Sequence, residues 1–336
     1  MNVPRVSLVF SANASFVETD RKLLGALFPL RIVHWKGKRS IVPLAAAIAR
    51  SDVVFAWFAA DHAYVACRLA RLLGRKSIVF VGGADAAKRE DLGYGIYLDP
   101  GRASRSRYAV IHADRVLVVD ESLKGELQRN GGISRTDLVT VPLGFDTDWF
   151  SPDGGPKTEV LTVGIVNEVN VLRKGLDVFL EAARLVPELP FVLVGSRPGP
   201  ATDRLVGRCP PNVRLLGPVS DQELRERFRR ARVYAQLSRY EAFGSALGEA
   251  MSCGCVPVGT RVGGIRTLIG DAGFYVPEED PAATAIAIRQ AFNHGNAEAA
   301  RNRIVTGFTL RHRQLALRAT IEDLVAGGST ANPHSG

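Results

Sequence analysis

Glu241 and Glu249 bracket a glycine-led run, Glu241-Ala-Phe-Gly-Ser-Ala-Leu-Gly-Glu249, whose residue types suit the holding of an anion between two sets of hydroxyl groups. An apolar strand pattern ends near Leu237, so Ser238–Phe243 reads as a loop and Gly244 as the opening of a helix that reaches Met251 or Ser252. Gly244 lets the backbone approach a ligand closely. The amides of Ser245, Ala246 and Leu247 have no intrahelical acceptor at such a start, which makes the turn an anion site. Glu241 falls in the loop and Glu249 one to two turns inside the helix. One carboxylate can then accept hydroxyls on one side of bound phosphates and the other on the far side. A carboxylate on a vicinal diol is the device that holds ribose in dinucleotide-binding folds. Taken without the rest of the chain, the pair is as readily two surface carboxylates flanking a buried helix.

Other segments bear on the choice. Leu161-Thr-Val-Gly-Ile165 ends a strand, and Arg173-Lys-Gly-Leu-Asp177 reads as the opening of a helix a short loop later. Cations are disfavoured beside the positive end of a helix unless an anion shares the site. In the first half, Phe80-Val-Gly-Gly-Ala-Asp85 follows a strand, where doubly wound domains keep ligand residues. Asp85 is read as an acceptor-side or sugar-contacting carboxylate, against the alternative of a loop-capping aspartate. The loop Ser11–Ser15 lacks paired glycines and ranks below it. His112 and Asp114 with Ser122 could suggest a hydrolytic triad, but Tyr108–Ala113 looks helical and no nucleophile elbow precedes a helix. Cys253-Gly-Cys255 has no second Cys or His pair at ligand spacing, so no metal site is expected.

Positioning these groups requires a regular frame, and the pattern supplies one. Short β-branched runs at Val6–Phe10, Arg31–His34, Val53–Phe58, Ser77–Val81, Arg115–Val119 and Leu138–Val141 alternate with amphipathic stretches. The theme repeats at Glu159–Val166, Phe191–Val194, Val213–Leu216, Val233–Gln236 and Cys255–Gly259. Continuous apolar strands separated by helices imply parallel sheets covered on both faces. Two such sets predict an α/β chain of two doubly wound, Rossmann-like domains. Proline and glycine across Pro142–Lys157 mark a linker. A last helix is expected over 310–325.

The chain has 336 residues, 46 % hydrophobic and 23 % charged, the balance of a soluble globular protein. Its most apolar region, Ile41–Ala70, is broken by Arg50, Asp52, Asp61 and Arg68, whereas a membrane span needs about 18 consecutive apolar residues. The start, Arg5 followed by Val6–Phe10, reads as a strand rather than a secretory signal. Four unevenly spaced cysteines fit reduced thiols and a cytoplasmic location. A formal charge of +9 favours polyanionic partners such as nucleic acid, anionic lipid or phosphate-bearing small molecules. Arginine outnumbers lysine, so part of that charge could reflect a bias in residue usage. A nucleic-acid binder would cluster its cations beside exposed aromatics, whereas the arginines here are spread along the chain.

The stretch from Glu241 to Gly264 resembles the E-x7-E signature of the family 4 glycosyltransferases, a retaining family with the GT-B fold. The likeness continues through Glu249-Ala-Met251, Cys253-Gly-Cys-Val-Pro-Val258, Val262-Gly-Gly-Ile265 and Asp271–Pro277. Upstream, Leu143-Gly-Phe-Asp-Thr-Asp-Trp-Phe-Ser-Pro152 is similar to the family's interdomain segment, with Leu143 in place of an asparagine. Asn212–Val219 resembles the strand and loop that meet the nucleotide base. The resemblance is specific in the second half and faint in the first.

It implies a GT-B fold, two Rossmann-like domains facing a cleft, with 1–148 as the acceptor-side domain and 149–309 as the nucleotide-sugar domain. Helix 310–326 would pack back on the first domain, and 327–336 would be a disordered tail. It implies transfer of a hexose from a UDP- or GDP-sugar to a glycan or lipid-linked acceptor, with retention and with no metal required. Glu241 would contact donor-sugar hydroxyls, Glu249 the ribose, and the amides around Phe243, Gly244, Ser245 and Ala246 the sugar and phosphates. Gly217 and Val219 would border the base, and Lys174 would neutralise the diphosphate. Ile165 replaces the family's usual arginine, a charge Arg173 could supply, and the usual first-domain histidine is absent. The basic balance without a span suggests peripheral contact with the inner face of an anionic membrane and no nucleic-acid partner. A GT-B nucleotide-sugar 2-epimerase shares the fold but would need its own acid and base.

Overall fold

The computed structural model describes residues 3–196 and 198–327, so the tail expected at 327–336 lies, from 328 on, outside the described residues. The chain forms two compact units. Unit 1 comprises Met1–Arg89, Gly95–Pro142 and Arg311–Gly336; unit 2 comprises Glu90–Tyr94 and Leu143–Leu310.

Unit 1 is built from β1 (Val6–Phe10), α1 (Ser15–Leu27), β2 (Leu30–His34), α2 (Ile41–Ala49), β3 (Val53–Trp57), α3 (Asp61–Leu72) and β4 (Lys76–Val81). It continues with α4 (Pro100–His112), β5 (Arg115–Val118), α5 (Ser122–Gly131) and β6 (Val139–Thr140). The six strands are parallel in the order β2-β1-β3-β4-β5-β6. Every residue of β1 and β3 is buried, as a sheet covered on both faces requires. β3 stops at Trp57 because Phe58 turns into the left-handed region at φ 71°.

Unit 2 starts with β7 (Glu159–Val163), α6 (Glu168–Arg173), α7 (Leu176–Arg184), β8 (Phe191–Val194), α8 (Pro200–Gly207) and β9 (Val213–Leu216). There follow α9 (Asp221–Arg230), β10 (Ala231–Gln236), α10 (Ser245–Ser252), β11 (Val256–Thr260), α11 (Gly263–Ile269) and β12 (Phe274–Val276). Helices α12 (Pro281–His294) and α13 (Ala297–Gly307) close the unit, and α14 (Leu310–Val325) follows. The parallel order is β12-β11-β10-β7-β8-β9. The chain thus winds outward from β7 to β9, returns, and winds the other way from β10. The reversal places a topological switch point between β7 and β10, where open α/β sheets bind ligands at the strands' carboxyl ends.

One expectation about the frame is corrected. The units divide after Pro142 rather than at 148, because the Pro/Gly-rich segment is anchored on unit 2. The Phe145 amide donates to the Phe308 carbonyl at 2.8 Å, and Arg301 donates to the carbonyls of Thr147 and Phe150, each at 3.1 Å. β12 lies outside the runs expected as strands and pairs with β11 from Val258–Phe274 to Thr260–Val276.

Residues from Arg311 onward belong to unit 1. α14 buries Arg313, Leu317, Ile321 and Leu324, one face at helical spacing. Arg313 makes a two-pronged pair with Asp20 of α1, at 2.5 and 2.6 Å, and also donates to the carbonyls of Val141 and Pro142. The Trp57 indole N–H donates to the same Asp20 carboxylate at 2.7 Å.

Candidate active site

The site lies in unit 2 at the switch point. Gly164 follows β7, and the chain returns through α6 and Lys174; β10 ends at Gln236 and leads into the loop that carries Glu241. These two paths bring Lys174 and Glu241 together. Lys174 Nζ lies 3.3 Å from Glu241 Oε2, with side chains 19 % and 15 % exposed. A Cβ on Gly164 would fall 2.8 Å from Lys174 Cδ, so glycine there lets the lysine reach across the strand end. Gln236, a buried amide at the end of β10, donates to Glu241 Oε2 at 3.4 Å and to the Ser238 hydroxyl at 2.7 Å. Burial opposes ionisation of Glu241, but the Lys174 ammonium and then the Arg173 guanidinium overcome it, holding the carboxyl below its usual range.

The loop around Glu241 is shaped by glycines further on. A Cβ on Gly263, whose φ is +44°, would fall 1.9 Å from the Glu241 carbonyl oxygen, and one on Gly264 would fall 2.4 Å from Phe243 Cα. The paired glycines of Val262-Gly-Gly-Ile265 therefore let α11 begin tight against the Glu241–Phe243 backbone. Gly244 precedes α10 with φ 102°, in the left-handed region, as expected for a helix-start glycine. Ser245 and Ala246 are half-buried at that start. Phe243 is 2 % exposed, its ring stacked on Phe145 and edge-on to Phe308, so it offers backbone rather than side chain.

Glu249 sits in α10, half-buried, and no donor among the described residues hydrogen-bonds its carboxylate. Burial pushes this carboxyl up to about 8, with the nearby Asp221 charge adding to the effect. Because the folded form holds its proton to higher pH than the unfolded chain, ionising it costs stability as pH rises from the ordinary carboxylate range toward 8. A half-buried carboxylate without partners is a stability cost that a hydroxyl-rich ligand would relieve. Gly217 is exposed and Val219 half-buried in the loop after β9, just before Ser220 caps α9.

Arg173 and Lys174 are placed differently from the expectation of a helix start. Arg173 is the last residue of α6, capped at its beginning by the Asn167 side chain, and Lys174 follows it; Gly175, with φ 61°, then opens α7. The cations therefore sit at the negative end of one short helix as well as beside the start of the next. The Arg173 guanidinium donates to Asn170 Oδ1 and to the Tyr240 carbonyl and lies 4.8 Å from the Tyr94 ring centroid. It braces the loop next to Glu241 rather than standing free. Asn170 in turn donates to the carbonyl of exposed Ile165. Gln236, Asn170 and Tyr94 were not singled out in the sequence; Gln236 carried a signal, a polar side chain at the end of a strand pattern.

Asp85 belongs to unit 1 and is 3 % exposed, with its oxygens accepting the amides of Ala59 at 2.7 Å, Gly83 at 2.7 Å and Gly82 at 3.0 Å. Burial raises its carboxyl against those amide bonds. The expected sugar-contacting carboxylate is thus corrected to a loop-building one, since its acceptor capacity is spent on backbone. His112, Asp114 and Ser122 do not converge. His112 lies against the Tyr108 carbonyl of its own helix, Asp114 accepts from Ser77, and Ser122 donates to Asp120. Burial pushes the thiols of Cys253 and Cys255 up to about 12.

The fold is that of an α/β protein of two doubly wound units, and at the switch point of the second sheet the Lys174–Glu241 pair stands beside the glycine-led start of α10. Residues 7–149 match the family described as Glycosyltransferase Family 4, and residues 157–294 match Glycosyl transferases group 1. Between them these matches span most of the chain, which belongs to the family 4 glycosyltransferases. The chain is 29 % identical over 197 residues to an Arabidopsis thaliana subunit of phosphatidylinositol N-acetylglucosaminyltransferase, covering 56 % of this chain and 43 % of that one. It is 30 % identical over 222 residues to a D-inositol 3-phosphate glycosyltransferase of Xylanimonas cellulosilytica, covering 56 % and 52 %. The chain thus spans about half the length of these curated relatives. The crystal structure of Anabaena HepE in complex with UDP-glucose superposes with a TM-score of 0.76 at 14 % identity, over 95 % of this chain and 100 % of that one. At that identity the likeness is one of fold, and the fold is GT-B.

Proposed function

We propose that this chain transfers a hexose from a nucleoside diphosphate sugar to a glycan or lipid-linked acceptor, with retention at the anomeric carbon and without a required metal. The observation that carries this reading is the Lys174–Glu241 pair at the switch point, beside the start of α10 and the unpartnered Glu249 carboxylate. Breaking the sugar C1–O bond builds negative charge on the departing diphosphate. The amides at Gly244–Ala246 and the Lys174 ammonium are the groups positioned to take up that charge. Glu241, kept ionised by Lys174 and Arg173, accepts hydroxyls of the donor sugar, and Glu249 accepts the ribose diol. In a retaining transfer the acceptor attacks from the face the leaving group vacates, and a diphosphate oxygen takes its proton.

HepE, solved with UDP-glucose, supports the donor class, and the Arabidopsis relative, named for phosphatidylinositol, supports a lipid-linked acceptor. No helix among the described residues is long and apolar enough to cross a membrane. We place the enzyme in the cytoplasm, working at the inner face of a membrane on a lipid-linked acceptor.

Thermal shift against a panel of UDP- and GDP-sugars tests the donor. One class stabilises the chain in proportion to the logarithm of its concentration, and Glu249→Ala loses most of that shift. If no nucleotide sugar stabilises the wild type, the reading fails. The raised Glu249 carboxyl adds a pH signature. A ligand whose hydroxyls prefer the carboxylate must displace its proton below pH 8, so donor affinity rises about tenfold between pH 7 and 9. Calorimetric titration of Glu249→Gln gives a flat profile over the same interval; an equal rise in the variant would assign the titration to another group.

A further inference from the structure

A second charged surface lies in unit 1, at the outer edge of its sheet. β2 is the edge strand, and α2 follows it after a short loop. From Arg31 to Arg50 the sequence carries Arg31, Lys36, Lys38, Arg39 and Arg50 and no acidic residue. Arg31, Lys36, Arg39 and Arg50, with His34, line an open cavity of about 720 Å³ between β2 and α2. Among the described residues none of these four cations is in an ion pair, whereas just past the segment Asp52 is taken up by Arg5 at 2.8 Å and by Arg75 at 3.9 Å. Four like charges gathered without a counter-charge repel one another, an arrangement that an anion in the cavity would relieve.

The same edge is apolar. Ile32 is 46 % exposed, Ile41 37 % and Val42 76 %. α2, Ile41-Val-Pro-Leu-Ala-Ala-Ala-Ile-Ala49, has no charged residue at all. Burying Leu44 and Ile48 accounts for its inner side but leaves Ile41, Val42 and Pro43 in water. A bilayer interface accommodates both features, because headgroup phosphates take up the cations and the acyl boundary takes up the aliphatic side chains. A nucleic acid would satisfy the cations but gain nothing from exposed aliphatics, since it is held through phosphates and by stacking on aromatic rings.

We propose that the β2–α2 edge of unit 1 is a membrane-docking site. Phosphate headgroups of an anionic bilayer seat among Arg31, Lys36, Arg39 and Arg50, and Ile41 and Val42 enter the boundary between headgroups and chains. This rests on the membrane contact proposed above and narrows it to one surface, made of residues of unit 1 alone.

Flotation of the full chain with vesicles tests it. Wild type rises with phosphatidylcholine–phosphatidylglycerol vesicles and stays behind with phosphatidylcholine alone, and the bound fraction falls as salt is added. Arg39→Glu/Arg50→Glu lowers partitioning at least about tenfold, and Val42→Asp lowers it with the cations intact. Both variants keep the wild-type thermal shift with nucleotide sugar, which shows that they are folded and separates this outcome from failure of the donor reading. The proposal is overturned if wild type does not rise with anionic vesicles, or if the double charge reversal rises as well as wild type. It is also overturned if inorganic phosphate displaces the protein and Val42→Asp has no effect, which marks a free-phosphate site. Displacement by duplex DNA with the same indifference to Val42 marks a nucleic-acid surface and overturns it equally.

Discussion

Replacing Glu241 with alanine lowers kcat by about two to three orders of magnitude, while the donor dissociation constant moves by less than about fivefold. The asymmetry follows from position. Glu241 is the carboxylate at the strand ends, paired with Lys174 and braced by Gln236, whereas Glu249 stands inside the helix with no partner. Initial-rate kinetics beside calorimetric binding separate the two quantities, and a variant that turns over at the wild-type rate removes Glu241 from the reaction. Lys174→Ala has a further signature. With its ammonium gone, burial is less opposed, so the Glu241 carboxyl rises and the acid limb of the rate profile shifts to higher pH. The double variant loses much less than the two single losses combined, because each residue acts through the other.

Arg313→Met destabilises the protein by about 3–5 kcal/mol, read as loss of cooperative melting of unit 1. Arg313 is 2 % exposed and Asp20 fully buried, and the carboxylate also holds the Trp57 indole. Removing the guanidinium leaves a buried anion and strands the Val141 and Pro142 carbonyls. Asp20→Leu with Arg313→Met is milder than Arg313→Met alone, since no charge is left uncompensated. Added salt changes little, because solvent does not reach the pair. Circular dichroism melts suffice, and a loss under about 1 kcal/mol for the single variant assigns the pair no structural weight.

Much of this frame could be read from residue order. Strands of covered parallel sheets are written as short, mainly apolar runs, and each of the eleven runs expected as strands overlaps one. β12 escaped because it is three residues long with Tyr275 at its centre, too short for a period to show. The six-residue α6 escaped for a similar reason, and with it the true setting of Arg173. The boundary between units is not legible from the Pro/Gly-rich segment, because proline and glycine mark a break in periodicity, not the unit on which the segment rests. That depends on Arg301, about 150 residues further on. At the candidate site, spacing points to Glu241 and Glu249 and the resemblance to Lys174, and the structure pairs Lys174 with Glu241. What Asp85 does is not legible, since an aspartate after two glycines reads alike whether it faces a ligand or its own backbone amides.

The clamp between Asp20 and Arg313 also bears on the order in which this protein comes into being. The two residues are 293 positions apart, so at ordinary synthesis speeds the arginine follows the aspartate by about 15 to 60 seconds. During that interval α1 of the nascent unit 1 carries the Asp20 carboxylate without Arg313. Leu143–Leu310, by contrast, emerges as one uninterrupted stretch. Arg313 follows directly on the last residues of unit 2, so the clamp on unit 1 closes at the stage of synthesis at which unit 2 is completed.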